Sequence, residues 1–397
     1  MSATSTAVLT PVELKTQPEV SIVMPCLNEA ETLGGCLEKA KAGLLVSGIL
    51  GEIIVADNGS TDGSIEIATR AGVRVVDVKN KGYGNALIGG ITAARGRYIV
   101  MGDSDNSHDY SHVSRFIDKL REGYDMVVGN RFKGEIEPGA MSPLHRYVGT
   151  PVLSGIGRLF YRSEIGDFNC GLRAFTREAW EAMDLRSPGM EFASEMIVRA
   201  SLIGLHLAEV PTSMAKDGRN RPPHLRTWRD GWRHLRLLLL YCPRWVFLYP
   251  GAVLFVLGFV TLLALLTGSQ QLGRYQFGTQ ALVYGAFAMM IGFQAIFFAA
   301  FSKILGVTQG VLPQDKRLNG MLEWITLETG LVAGVLSTIG GVVYLVLPLI
   351  WLHASDAVRT EGQLLRIVIP GVVAITLGVQ TIFCSFLLSM LGLTKRQ

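Results

Sequence analysis

Apolar and polar positions follow two different regimes along the 397 residues. Up to about residue 240, short apolar runs alternate with amphipathic stretches. Val20 to Pro25, Glu52 to Ala56, Val73 to Val78, Arg97 to Met101 and Met126 to Val128 have the length and β-branched content of strands. Between them, Glu31 to Leu45, a stretch after Thr61-Asp62 with Ile65, Ile67 and Ala68, Asn85 to Ala94, and Val113 to Arg121 read as helices. Repeated β-α units of this spacing predict an α/β fold, a mostly parallel sheet with helices on both faces. Such sheets bind ligands at the carboxyl ends of their strands. Asn28, Asp57, Asp103 and Asp105 all fall there.

Beyond residue 240 the pattern changes to long apolar runs at about 245–267, 280–302, 328–351 and 366–391. Each is near the roughly 20 residues needed to cross a bilayer, and four in succession favour spans over buried core helices. A short polar loop around Gln270 to Gln276 joins the first two, and His353 to Gln363 joins the last two. The middle connection carries Lys303, Lys316 and Arg317, and Lys395-Arg396 lie near the C-terminus. Basic residues thus collect on the side of the polar domain, which places that side and both termini in the cytoplasm. The expected localisation is the plasma or inner membrane, or its equivalent, with few ionisable residues inside the spans and so no ion pathway.

Residues 216–244 join the two regimes and are dense in arginine. Leu225, Trp228, Trp232, Leu235 and Leu239 recur at helical spacing beside a stripe of Arg226, Arg229, Arg233 and Arg236. That combination predicts a helix lying in the lipid headgroup layer, the alternative being a core helix with a solvated Arg face. The domain plan is a flexible tail over 1–18, an α/β domain over 19–215, the basic segment over 216–244 and a four-helix membrane domain over 245–397. The tail lacks the apolar stretch of a signal peptide. The five cysteines are scattered without a CxxC pair, which argues against a disulfide framework or zinc site. The formal charge of +4 says little about partners because it averages unlike halves, and nothing in the chain points to nucleic acid.

Asp103-Ser104-Asp105 ends a strand with two carboxylates two residues apart, which project alike from extended backbone. Such a pair can share one divalent ion bridging the oxygens of a diphosphate. Asp57, in Asp57-Asn58-Gly59-Ser60-Thr61-Asp62, can accept from a base or ribose, or simply close a turn. Lys81-Gly82-Tyr83-Gly84 can be a flexible loop over phosphates.

Taken in order, Pro25-Cys26-Leu27-Asn28-Glu29, Asp57 to Gly63 and Gly102 to Asp105 resemble the GT-A (Rossmann-like) domain of glycosyltransferase family 2. Gly129-Asn130-Arg131-Phe132 and Asp167 to Phe175 resemble segments of the dolichol-phosphate sugar synthases, as do Glu195, Arg199-Ala200, Gly204 and Glu209-Val210-Pro211. The resemblance covers about residues 20–240. It implies that Pro25, Asn28, Glu29 and Asp57 hold the nucleoside, and that Asp103, Ser104 and Asp105 meet the nucleotide. Asp103 and Asp105 would bind Mg²⁺ or Mn²⁺. It further implies Arg131 and Arg146 at the acceptor phosphate, Asp167 and Arg173 along the reaction site, and Lys216, Arg219 or Arg221 on the donor diphosphate. Two departures stand out: Asn58 replaces the second acid of the usual D-D-G-S, and Gly218-Arg219-Asn220-Arg221 replaces the usual G-x-S-K.

The expected activity is inverting, metal-dependent transfer of a hexose from a UDP- or GDP-sugar to a polyprenyl phosphate. A phosphate monoester is already anionic near neutrality and needs no general base, unlike a hydroxyl acceptor. Transfer to a lipid hydroxyl such as diacylglycerol is the main alternative. A processive synthase is disfavoured because Tyr241 stands where its Q-x-x-R-W motif would have Gln, and a non-catalytic scaffold because the acidic motif is retained. A homo-oligomer is possible on this reading.

Overall fold

The computed structural model describes residues 17–219, 226–272, 274–313, 326–354 and 361–393. Most of the N-terminal tail, Arg221, Leu225, Lys316, Arg317, Lys395 and Arg396 lie outside the described residues. The chain divides into two compact units, Met1–Leu237 and Leu238–Gln397.

In the first unit the expected β-α alternation is present as β1 (Val20–Cys26), α1 (Leu33–Val46), β2 (Gly51–Asp57), α2 (Ser64–Arg70), β3 (Arg74–Asp77), α3 (Tyr83–Ala93) and β4 (Tyr98–Met101). There follow α4 (Ser114–Arg121), β5 (Met126–Asn130), α5 (Thr150–Tyr161), β6 (Arg173–Thr176), α6 (Arg177–Met183), α7 (Phe192–Ile203), β7 (Leu207–Pro211) and α8 (Thr227–Leu240). The seven strands order as β3-β2-β1-β4-β6-β5-β7. All neighbours pair in parallel except β6, which runs antiparallel between β4 and β5. β1 and β4 are buried throughout, as strands covered on both faces must be. Their apolar runs therefore lack the alternation of a half-exposed strand, and the loops at their carboxyl ends carry the polar residues.

α8 confirms a helix where the Trp/Arg periodicity predicts one, but the packed side is neither predicted stripe. Asp230, His234, Leu237 and Leu238 are buried, at i, i+4, i+7 and i+8. Trp228 and Trp232 are 83% and 58% exposed. His234 fastens the helix to α7 through a 2.7 Å hydrogen bond between its Nδ1 and the Ser194 hydroxyl.

The second unit contains α9 (Tyr249–Leu266), a small antiparallel hairpin of β8 (Gln270–Leu272) and β9 (Tyr275–Phe277), α10 (Thr279–Thr308), α11 (Leu327–Ala354) and α12 (Glu361–Leu393). Four helical stretches, Arg244–Leu266, Thr279–Thr308, Leu327–Pro348 and Glu361–Leu391, are long and apolar enough to cross a membrane. The loop expected at Gln270 is thus a short hairpin. Glycines let the helices approach closely in pairs. A Cβ at Gly251 would lie 2.9 Å from the Gly292 carbonyl of α10, and one at Gly334 would lie 2.7 Å from the Gly378 carbonyl of α12. Small residues at such crossings are how helices associate where lipid removes the hydrophobic drive.

Candidate active site

The site forms where β1, β2 and β4 end. After β1, Asn28 takes a left-handed conformation (φ 59°), so that its Oδ1 accepts from the Thr61 N–H at 2.7 Å. Its own N–H donates to the Ser60 hydroxyl, which ties the β1 loop to the β2 loop. Asp57 closes β2 and accepts from the N–H groups of Gly59 (2.9 Å) and Ser60 (3.2 Å). Asn58 is buried and donates to the carbonyls of Val78 and Asn80, each at 2.8 Å, while its Oδ1 accepts from the Gly82 N–H. Asn58 therefore staples the β3–α3 loop beside Asp57. A carboxylate there could not make both donations, so the departure from D-D-G-S has a local structural cause.

That loop is also clamped from its other side. The Gly84 N–H donates to the Pro188 carbonyl at 2.9 Å, and a Cβ at Gly82 or Gly84 would strike the backbone of Ser187 or Pro188. Glu195 in turn accepts from the N–H groups of Arg186 and Ser187. The segment read as a flexible phosphate loop is a packed one.

The two acids after β4 are held differently. Asp103 accepts from the Tyr83 hydroxyl at 2.9 Å and faces His108 Nε2 at 3.3 Å. Burial alone would raise its pKa, yet the hydrogen bond and charge of His108, with Tyr83 and Arg219, hold it below the usual carboxylate range. Asp105 accepts from the N–H and hydroxyl of Ser107, and its other oxygen lies 3.4 Å from an Arg219 nitrogen. Arg219 also forks onto Glu29 with bonds of 2.8 and 2.7 Å. One guanidinium thus bridges two site carboxylates. Ser104 points away from the cleft, its hydroxyl donating to the Pro25 carbonyl at 2.7 Å. Pro25 and Ser104 tie β1 to β4 through this bond.

A second cluster lies after β5. Arg131 forms a two-pronged ion pair with Asp167, at 2.7 and 2.8 Å, and both are buried. Asp167 also accepts from the N–H groups of Arg131 and Asn169. Burial alone would lower the pKa of Arg131, but the hydrogen bonds and charge of Asp167 raise it. Arg173 is wholly buried, and its nitrogens donate to the carbonyls of Cys170, Phe168 and Ala193. It braces the segment that carries Asp167. Arg146 is not brought into contact with Arg131 or Asp167; its guanidinium lies over the Tyr147 ring, 5.7 Å from the centroid. The Lys216 side chain is exposed, with its backbone N–H on Glu137.

Among the described residues no three His, Cys, Asp or Glu side chains converge as a closed metal site. Two adjacent hard carboxylates nevertheless suit Mg²⁺ or Mn²⁺, ions that take one or two carboxylates and complete their shell with phosphate and water. Asp103 and Asp105 fit that role, with Arg219 standing at the Asp105 oxygen a metal would use. Sequence reasoning passed over His108 and gave Tyr83 and Gly171 no role of their own. The last is required because a Cβ would lie 2.5 Å from an Asp103 oxygen and 2.9 Å from His108 Nε2. The signal for His108 was its place five residues after Asp103.

Parallel strands whose carboxyl ends gather an acidic pair beside a buried arginine have the architecture of a GT-A glycosyltransferase. Sequence comparison agrees. Residues 21–183 match Glycosyl transferase family 2, and residues 300–392 match the Glycosyltransferase family 2 C-terminal transmembrane region. The low-salt glycan biosynthesis hexosyltransferase Agl6 of Haloferax volcanii is 38% identical over 381 residues, 94% of this chain and 89% of that protein. The dolichyl-phosphate hexose transferase of the same organism is 28% identical over 193 residues, 49% of this chain and 81% of that protein. The crystal structure of glucosyl-3-phosphoglycerate synthase from Mycobacterium tuberculosis, in complex with Mn²⁺, UDP and glucosyl-3-phosphoglycerate, aligns at 25% identity. It covers 56% of this chain and 79% of that one with a TM-score of 0.45. The chain belongs to glycosyltransferase family 2 and is a membrane glycosyltransferase.

Proposed function

We propose that this enzyme transfers a hexose from a nucleotide-sugar to a polyprenyl phosphate at the cytoplasmic face of a membrane. The observation that supports this most is the state of Asp167. Both its oxygens are engaged, by the Arg131 fork and by two backbone N–H groups. A carboxylate whose lone pairs are all taken in this way has none left to turn toward an acceptor hydroxyl. An acceptor hydroxyl needs a base, whereas a lipid phosphate arrives as an oxyanion. The remaining Arg131 nitrogen, which lies 3.9 Å from the Met214 sulfur, would exchange that weak acceptor for the anion, and Asp167 fixes the direction of the guanidinium.

On this reading Asn28, Asp57 and Glu29 position the nucleoside, and Asp103 and Asp105 hold the metal with the diphosphate. When bound, the ion would offset charge developing on the leaving diphosphate. The remaining work is alignment and neutralisation by the chain's own cations. The hexose and lipid assignments are further supported by the relatives named as a hexosyltransferase and a dolichyl-phosphate hexose transferase. The exposed Trp228 and Trp232 of α8 would sit in the headgroup layer.

Purified enzyme given a panel of nucleotide-sugars should label polyprenyl phosphate, the sugar partitioning into organic solvent and being released by mild acid. The matching polyprenol should accept at least about 100-fold more slowly. Equal transfer to polyprenol or to diacylglycerol would overturn the phosphate assignment.

A further inference from the structure

Glu209 on β7 is a buried carboxylate to which nothing above gives a task. Its side chain is 7% exposed, and its two oxygens serve different segments of the chain. Oε2 accepts from the Asn130 amide at 2.9 Å and from the Lys133 ammonium at 2.7 Å. Oε1 accepts from the N–H groups of Gly166 at 2.5 Å and Asp167 at 3.3 Å. Arg131 stands between the first two donors in the chain, and Asp167 is itself the last. One carboxylate therefore grips the backbone on both sides of the Arg131–Asp167 ion pair.

The grip is built into its neighbours. Asn130 turns its amide nitrogen to Glu209 because its amide oxygen already accepts from the N–H groups of Phe132 and Lys133, at 2.9 and 3.0 Å. Gly166 fits only without a side chain, since a Cβ would lie 2.9 Å from the Asn130 amide nitrogen. Glu209 itself is fixed by the sheet, where β7 pairs with β5 and sets Glu209 opposite Val128. The loops it joins have no such ladder. A buried carboxylate is costly unless its lone pairs are filled, and here the filling groups belong to the two segments whose spacing the ion pair needs.

We propose that Glu209 is a positioning residue: it sets the distance and angle between the loop after β5 and the segment entering Asp167, and so aims the Arg131 guanidinium at the acceptor anion. A two-pronged arginine–carboxylate pair holds its direction only while both backbones stay in place. Small misplacements of a charge that neutralises a reacting group are costly in rate. The donor side is insulated from this device, because its residues follow β1, β2 and β4, whereas β5 and β7 lie beyond β6 in the sheet. That the anion is a lipid phosphate rests on the acceptor proposed above; the aiming does not.

Moving the charge across the contact tests the role in the full-length enzyme. Glu209→Gln sets a donor amide against Asn130 and Lys133 or, if it flips, against Gly166 and Asp167. Asn130→Asp sets a second carboxylate against Glu209. In the double variant the new amide donates to the new carboxylate, Lys133 keeps an anion, and an oxygen still accepts from Gly166 and Asp167. Each single variant should lower kcat/KM for polyprenyl phosphate at least about 30-fold. The KM for nucleotide-sugar and its slow hydrolysis by water should stay within about twofold. The double variant should return to within about fivefold of the native enzyme. Amide exchange at residues 166 and 167 should quicken in Glu209→Gln and slow again in the double variant. Unchanged acceptor kinetics in Glu209→Gln, an equal fall in donor hydrolysis, or a double variant no better than the singles would overturn the proposal. If Glu209→Gln does not fold, the double variant decides alone. A native enzyme that ignores polyprenyl phosphate would remove the acceptor reading, and the exchange pattern would still judge the aiming.

Discussion

Asp103 and Asp105 are two residues apart, yet different groups hold them, and so they should fail differently. Asp105 has one oxygen on the N–H and hydroxyl of Ser107, bonds an asparagine oxygen could keep, and the other toward Arg219. Asp105→Asn should keep the melting temperature within a few degrees and lower turnover by about 100-fold or more, the scale for losing one electrostatic partner of a developing charge. Steady-state rates beside a thermal melt check both parts. Asn58 behaves in the opposite way. Asn58→Asp would restore the common family pattern, but it replaces two donated hydrogen bonds with a buried acceptor facing two carbonyls. Each lost bond should cost about 1–3 kcal/mol. Denaturant unfolding of the variant should show that loss, and an unchanged midpoint would remove Asn58 from its stapling role.

At the scale of elements, α8 is the piece whose attachment depends on protonation. Burial, with Arg173, pushes His234 down to about 4, against the pull of Asp230. The unfolded or undocked imidazole titrates near 6.5. Between those values the undocked form binds more protons, so docking is complete above about pH 6.5 and weakens as pH falls toward 4. Amide exchange in α8, corrected for intrinsic rates, should therefore speed up over that window. His234→Asn should flatten the dependence. The spans offer a steric test. Gly334 and Gly378 each place backbone where the other would carry a Cβ. Gly334→Leu should cost about 1–3 kcal/mol through overpacking, read as an earlier unfolding midpoint in a denaturing detergent. The exposed Val343 has no such constraint and serves as the control.

For the whole molecule, the division into a catalytic unit and four spans was legible because burial type writes itself into pattern. Strands covered on both faces are short apolar runs, and spans are long ones. The four-residue β6 was not legible, since Arg173 to Thr176 is too short for periodicity and its antiparallel place is set by neighbours distant in sequence. α5 escaped for another reason: its apolar stripe faces outward, so amphipathicity gave no core side to find. In the site, Asp103, Asp105 and Asp167 were legible as residue types at strand ends. The pairing of Arg219 with Glu29 joins positions 190 apart and leaves no local trace. The orientation expected from the basic loops is testable directly. In sealed membranes a cysteine at Gln271 should react with an impermeant reagent from the non-cytoplasmic side, and one at Lys316 should not. The reverse labelling would invert the proposed topology.

Arg219 belongs to the stretch that leads from β7 to α8, and it acts there as a counter-ion on a tether. The resting cleft is partly its own internal salt, with one guanidinium shared between Glu29 and Asp105, so a metal–nucleotide complex would enter by exchange and not by simple addition. Exchange has a threshold. A bare cation gains little by evicting an arginine from two carboxylates, whereas a metal that arrives with a diphosphate offers the displaced arginine a new anion. The two ligands should therefore bind with positive coupling, each tightening the other by the same factor. Mn²⁺ titration followed by EPR should show at least about tenfold tighter binding with nucleoside diphosphate than without. In Arg219→Gln that gap should narrow because the metal alone binds better. A protein built this way would stay indifferent to free divalent ions and respond only when its sugar donor is present.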